Sequence, residues 1–293
     1  KDTFDCLIAI GGGSTIDFAK GIATLIKNSG SSLKYKGFPK NLNPSVPIVA
    51  VPSTTGAGAE LAYNAVFIDE NEGRKLGINT RKNFPTAPLI DPLLTMSAPE
   101  KAVISSALDT LVHCVDSFGS IKQTAFSRIF SKEGFKRTFD TLLYKNLDEP
   151  VSRIDLAIGS ICGTTALMNS GDGPTNGFAY YFGVKDKIPH GLAGGIFLKE
   201  VMSWNYRNGY NDYVQFQNGD DKTSKKDGNN KLFDSLNELY VKLNIPRLSS
   251  YGYNSKNSMN IAREVSKALQ GSFAGNPIPF TEKSAEEILN RLI

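Results

Sequence analysis

Short apolar runs punctuated by Gly and Pro open the chain, and longer stretches of helical periodicity follow. Strand-like runs fall at 6–10, 46–51, 61–69, 74–79 and 87–90. The first, Asp5-Cys6-Leu7-Ile8-Ala9-Ile10, meets glycines directly, which predicts a buried parallel strand ending in a tight turn. Apolar residues then recur at Ile16, Ala19, Ile22, Ala23 and Ile26, the spacing of a helix. The runs at 61–69 and 74–79 flank Glu70-Asn71-Glu72-Gly73, which reads as a hairpin turn. Near residue 97 the pattern changes. Ser97-Ala98-Pro99-Glu100 resembles a capping box with Pro in the first turn. Further helices are predicted over 124–145, 150–169, 190–206, 231–243, 257–270 and 284–292, with Ser284 and Glu287 as a cap for the last. The polar segment Asn218 to Asn230 reads as a surface loop.

This order predicts an α/β domain over 1–96, followed by an all-helical domain over 97–293. A length of 293 residues suits two domains. The net charge of +4 is small, is spread along the chain and does not mark a nucleic-acid binder, so no nucleic-acid partner is expected. No apolar run reaches the length of a membrane span. Three cysteines, Cys6, Cys114 and Cys162, make no C-x-x-C pair. Cys6 in a predicted buried strand and Cys114 in a predicted helix suit unpaired thiols in a reducing, cytoplasmic compartment.

Two loops and two histidines carry the candidate chemistry. Gly11-Gly12-Gly13-Ser14 lies between a strand and a helix N-terminus, where backbone N–H groups can meet a phosphate. Its spacing is not Gly-x-Gly-x-x-Gly, so a purely conformational role stays open. Pro52 to Glu60 (PSTTGAGAE) supplies hydroxyls and backbone donors after a second strand, or is an ordinary turn. His113 follows Asp109 by four residues, so a helix stacks both on one face. That pair is either half of a divalent-metal site or a simple helix pair. His190, the only other histidine, lies in Ile188-Pro189-His190-Gly191, where a new helix is expected to begin.

Several stretches together resemble the iron-containing (group III) alcohol dehydrogenases, relatives of dehydroquinate synthase. They are GGGSTIDFAK (Gly11 to Lys20), PSTTGAGAE, the stretch from Lys75 to Pro99, ALDTLVHCVDS (Ala107 to Ser117) and NSGDGPTNGFAYYFGVKDKIPHG (Asn169 to Gly191), in family order across about two-thirds of the chain. The resemblance implies a dehydroquinate synthase-like fold, in which the α/β part over 1–96 is an incomplete Rossmann-like nucleotide-binding domain and the all-helical part over 97–293 carries metal and substrate. It implies an NAD- or NADP-linked oxidoreductase, dependent on Fe²⁺ or Zn²⁺, that interconverts a small alcohol with an aldehyde or ketone. It implies that Gly11, Gly12, Gly13 and Ser14 hold the cofactor pyrophosphate and that Thr54 and Thr55 contact the nucleotide. Lys75 would sit near the cofactor's phosphates and ribose, and Leu94 would pack the adenine. Asp109, His113 and His190 would be metal ligands. The His-Cys-Val-Asp-Ser run also resembles a branch that oxidises a sugar-acid hydroxyl, the 3-deoxy-manno-octulosonate 8-oxidases. A homodimer is left open as the assembly.

The chain departs from the family pattern in two places. The fourth metal ligand, a histidine fourteen positions before the residue matching His190, is here Asn176. An amide oxygen is a neutral donor and a poorer partner than imidazole for Fe²⁺ or Zn²⁺. Three outcomes stay open: a weaker site closed by Asn176 or water, a site closed by Asp172, or a nucleotide-binding relative that has lost metal catalysis. Four positions further on, a second family histidine that helps in proton transfer is here Tyr180, which leaves that hydroxyl, a ribose hydroxyl or water for the task. Relatives also carry more of the nucleotide domain upstream, including the residue that selects NAD or NADP, so this N-terminal part is expected to be missing.

Overall fold

The computed structural model describes residues 5–69, 72–217 and 225–293. The first apolar run forms β1 (Leu7–Gly11), which pairs in parallel with β2 (Ile48–Pro52). A two-residue β5 (Ala87–Pro88) extends this sheet on the far side of β2. Helix α1 (Gly13–Lys27) covers one face, burying Ile16 and Ala23 against Ala9, Ile48 and Ala50. Only one face of β1 is covered. Ala9 is buried, whereas Ile8 and Ile10 are exposed, so the expected buried strand is buried on one side only. Cys6 falls just outside it and is exposed, contrary to its expected place inside.

β3 (Asn64–Asp69) and β4 (Arg74–Asn79) form the antiparallel hairpin. Residues 70 and 71 of its predicted turn lie outside the described residues.

The helical part is built around α2 (Glu100–Gly119), which is buried continuously from Ala107 to Gly119. A helix enclosed on every side over such a length belongs inside a bundle. Around it lie α3 (Ala125–Tyr144), α4 (Pro150–Ser170), α5 (Pro174–Lys185), α6 (His190–Arg207), α7 (Lys225–Lys242), α8 (Ser258–Ala268), the single turn α9 (Gln270–Phe273) and α10 (Glu282–Leu292). One apolar cluster joins α2, α3, α6 and α7 through Leu111, Phe118, Phe135, Met202 and Leu236. A second joins α5, α6, α8 and α10 through Phe178, Phe197, Val265 and Ile288.

Four local expectations need correction. α2 begins at Glu100 with Pro99 in the cap position and no side-chain cap, so Ser97 closes no capping box. The box of the last helix is Thr281 with Ser284, which starts α10 before the predicted Ser284. The segment 225–230, expected as loop, is the first part of α7. Asn229 there is fully buried, and its Nδ2 donates to Asn211 O at 2.9 Å, which ties the polar turn to the bundle. Residues 218–224 lie outside the described residues. Finally, α5 has no counterpart in the sequence pattern. It is buried from Pro174 to Ala179, so it shows no one-sided apolar stripe.

The two parts meet at the PSTTGAGAE loop. Gly58 adopts φ +62°, and a Cβ there would lie 1.7 Å from Thr164 Oγ1 on α4. Only a residue without Cβ lets this loop press against the helical part. Among the described residues no helix is long and apolar enough to cross a membrane.

Candidate active site

A cavity of about 590 Å³ lies between the α/β part and the helices. Gly13, Ser14 and Thr54 line one side. Lys75, Asp109, His113, Tyr180 and His190 also line it, together with Asp17, Asn64 and Ser105. The geometry thus gathers most of the residues singled out by sequence. Gly11, Gly12, Thr55, Leu94 and Asn176 are not among the lining residues. Thr55 is buried, and Leu94 is 44% exposed. Gly12 is the residue before α1, with an extended backbone at φ −76°, and stands behind Thr54.

Helical spacing puts Asp109 and His113 on one face of α2, and Asp109 Oδ1 lies 3.5 Å from His113 Nε2. His190 is the first residue of α6. Gly191 beside it makes this possible, because a Cβ there would lie 1.8 Å from Ser105 O on α2. The start of α6 therefore presses against α2, and His190 Nε2 comes within 3.8 Å of Asp109 Oδ1. Asn176, on α5, places its Oδ1 3.0 Å from the same Nε2.

These donors can be tested against a divalent ion. Ligands about 2.1 Å from one tetrahedral ion stand about 3.4 Å apart. The two imidazoles converge on Asp109 Oδ1 at close to that spacing, and this oxygen is buried with no hydrogen-bond partner. A buried carboxylate oxygen left unpaired is costly unless a cation completes it. The fit is open rather than closed: among the described residues no group of three His, Cys, Asp or Glu side chains forms a ready cage. Burial lowers the His190 pKa to about 4, so its imidazole is neutral at physiological pH, as a metal ligand must be. Asp172 is tied elsewhere. Its Oδ2 accepts from Ser272 Oγ at 2.8 Å, and it is not within ion-pair distance of either imidazole.

Tyr180 packs 4.8 Å, centroid to centroid, from His190, and Lys75 Nζ stands 5.4 Å from the Tyr180 ring centre. Burial pushes the Tyr180 pKa above its ordinary value, and the carboxylates of Asp172 and Asp109 add to that rise. Burial also lowers the Lys75 pKa, against the pull of Asp109 and Asp17.

Sequence reasoning missed a buried charged cluster beside the glycine turn. Lys20 is fully buried on α1, and its Nζ donates to Asn64 O at 2.7 Å and to Asp17 Oδ1 at 3.2 Å. Asp17 Oδ2 accepts from Val66 N at 3.0 Å, and Glu60 is buried close by. Burial raises the pKa of Asp17 and of Glu60 and lowers that of Lys20, outweighing their mutual attraction. The available signal was Lys20 itself, which falls in the apolar stripe of Ile16 and Ala23.

Comparison with known proteins supplies independent findings. A family model described as iron-containing alcohol dehydrogenase matches residues 1–92, and one described as Fe-containing alcohol dehydrogenase family, C-terminal, matches residues 103–293. The chain is 27% identical over 259 residues to the probable alcohol dehydrogenase EutG of Escherichia coli, covering 86% of this chain. It spans 64% of that relative's length, less than two-thirds. Among solved structures, a 1,3-propanediol oxidoreductase superposes with a TM-score of 0.90 at 23% identity, over 99% of this chain and 77% of that one. A sulfoacetaldehyde reductase from Bifidobacterium kashiwanohense, solved in complex with NAD+, gives 0.86 at 22% identity, over 98% and 76%. At such identities the likeness is one of fold.

Proposed function

The chain belongs to the iron-containing alcohol dehydrogenase family, and from that premise we propose that it is a metal-dependent, NAD(P)-linked oxidoreductase that interconverts a small alcohol with an aldehyde or ketone. The observation that carries this reading is Asp109 Oδ1, buried, unpartnered and flanked by two imidazole nitrogens in the cavity that also receives the glycine turn.

Asp109, His113 and His190 would hold Fe²⁺ or Zn²⁺, with Asn176 or water at the fourth position. Gly13 and Ser14, at the positive end of α1, would receive the pyrophosphate of NAD or NADP, with Gly11 and Gly12 shaping the turn and Thr54 beside it. Held there, the two groups would supply Lewis-acid polarisation of a substrate oxygen and hydride exchange with the substrate carbon.

The remaining work falls to side chains of the chain itself. His190 stays neutral, so its imidazole offers one lone pair, which lies on Nε2 once the proton donated to Asn176 moves to Nδ1. Tyr180 keeps its hydroxyl proton, because burial disfavours the phenolate. That proton is available to a nascent alkoxide in the reducing direction, after which solvent reprotonates the phenolate; in the oxidising direction the protonated phenol is no base, and the alcohol proton passes to water. Lys75 sets a cation beside the Tyr180 ring and offsets the charge of Asp109 and Asp17. Thr55 and Leu94 fit a supporting role around the nucleotide better than direct contact from within the cavity. The unpaired, buried Cys114 and Cys162 support work in the cytoplasm.

The test is NAD(P)H absorbance with a panel of short aldehydes and alcohols, using protein loaded with Fe²⁺ or Zn²⁺. Turnover that is lost with a chelator and restored by metal supports the reading. Turnover untouched by complete metal removal overturns it.

A further inference from the structure

Asp116 lies on α2 three residues beyond His113, on the face that carries Asp109 and His113. It is 5% exposed and pairs with no cation among the described residues. Its Oδ2 accepts from Gly173 N at 3.1 Å and from Asn176 N at 2.8 Å. These are donors at the start of α5, which has no side-chain cap of its own. Helix N-termini leave such donors unsatisfied and favour a negative charge. Here the cap comes from a different helix. The approach is close, since a Cβ on Gly173 would lie 2.8 Å from Asp116 Cγ.

Residue 176 is therefore held at both ends. Its backbone N–H is fixed by Asp116, and its side-chain oxygen meets His190 Nε2 at 3.0 Å. Tyr180 follows one turn later on the same helix. We propose that Asp116 is a positioning residue that sets the depth of α5 against α2, and so brings Asn176 and Tyr180 to the imidazoles. This rests on the reading of Asp109, His113 and His190 as metal ligands.

A purely stabilising cap would affect unfolding without changing the geometry around a bound ion. Co²⁺ separates the two roles, because its visible spectrum reports ligand number and geometry. Asp116→Ala is expected to retain Co²⁺ about tenfold less tightly than the unaltered chain, within the range for groups that orient ligands. Its Co²⁺ spectrum is also expected to change. Asp116→Asn keeps an acceptor oxygen and is expected to restore both. If Asp116→Ala is too unstable to purify, Gly173→Ala gives the same readout. Gly173 has an extended backbone, φ −136°, and the three atoms nearest an added methyl all belong to Asp116, so the methyl pushes Asp116 away. A wild-type Co²⁺ spectrum and retention in these variants, whatever their melting temperature, would reduce Asp116 to a cap and overturn the proposal. Asp109→Asn is the control. If it too retains Co²⁺ like the wild type, the metal reading fails and takes this inference with it.

Discussion

His190 Nε2 and Asn176 Oδ1 stand 3.0 Å apart, a hydrogen-bond distance between a metal-ligand candidate and the residue facing it. An amide oxygen only accepts, so the contact needs the proton on Nε2. Ligation of an ion through the same nitrogen needs that proton gone, carried instead by Nδ1. An ion taken up there would exchange the Nε2–H donated to Asn176 for ligation, with Asn176 Oδ1 left facing the ion. Replacing Asn176 with His exchanges a neutral amide oxygen for an imidazole, the better donor to Zn²⁺ or Fe²⁺. We expect Asn176→His to retain Zn²⁺ or Fe²⁺ at least about tenfold more tightly, roughly 1.4 kcal/mol. Metal content after a graded chelator challenge measures this. Equal retention in the two proteins would mean that residue 176 does not face the ion.

Gly12 tests the cofactor end. Its backbone is extended, at φ −76°, so a side chain causes no backbone strain there. A Cβ would lie 3.3 Å from Thr54 Oγ1, which crowds the space between the glycine turn and the second loop. Gly12→Val should leave the thermal transition close to wild type and weaken NAD(H) binding about tenfold or more. Nicotinamide fluorescence titration gives the dissociation constant. Unchanged binding would remove the glycine turn from the pyrophosphate site.

The elements that sequence revealed are those with one-sided burial. β2 alternates buried and half-buried residues, and α1 carries its stripe of Ile16 and Ala23. The i, i+4 spacing of Asp109 and His113 predicted their shared face without any tertiary information. What stayed hidden depended on neighbours distant in sequence. α5 is enclosed by other helices, so its burial follows no stripe. Asp116 looks like a polar position on a helix until α5 docks against it. Lys20 reads as a solvated charge, yet Asn64 O and Asp17 hold it inside. The motif match grouped Thr55 and Leu94 with Thr54 and Lys75, but only the latter two reach the cavity.

The Lys20 cluster makes a stability prediction with a defined pH dependence. Lys20→Met keeps the volume and deletes the charge, leaving Asp17 and Glu60 buried without their cation. Removing one partner of a buried ionic group costs about 3 kcal/mol. Burial already holds both carboxyls above the usual range, and losing Lys20 raises them further. A carboxyl with a raised native pKa keeps its proton where the unfolded chain has given it up, so the native state loses stability as pH rises from about 4 through the raised value. The variant's deficit relative to wild type should therefore be smaller at acidic than at neutral pH. Adding Asp17→Asn should recover part of the loss. Urea denaturation at several pH values measures all of this. A pH-independent deficit would exclude the carboxylates as its cause.

Tyr180 has two separable roles, since its ring packs on His190 and its hydroxyl carries a proton. Tyr180→Phe keeps the ring beside His190 and Lys75 and removes only the hydroxyl. If that hydroxyl serves the substrate oxygen, kcat should fall about 100-fold, in the usual range for general acid–base catalysis, with cofactor affinity unchanged. Burial raises the Tyr180 pKa above its ordinary value of about 10. The wild-type rate should then show no alkaline loss from this group below about pH 10, because the phenol is still protonated there. Tyr180→Ala removes ring and hydroxyl together and should lose cofactor or metal affinity as well. A Phe variant with the wild-type rate, beside a failing Ala variant, would assign Tyr180 to packing and leave the proton to water or a ribose hydroxyl.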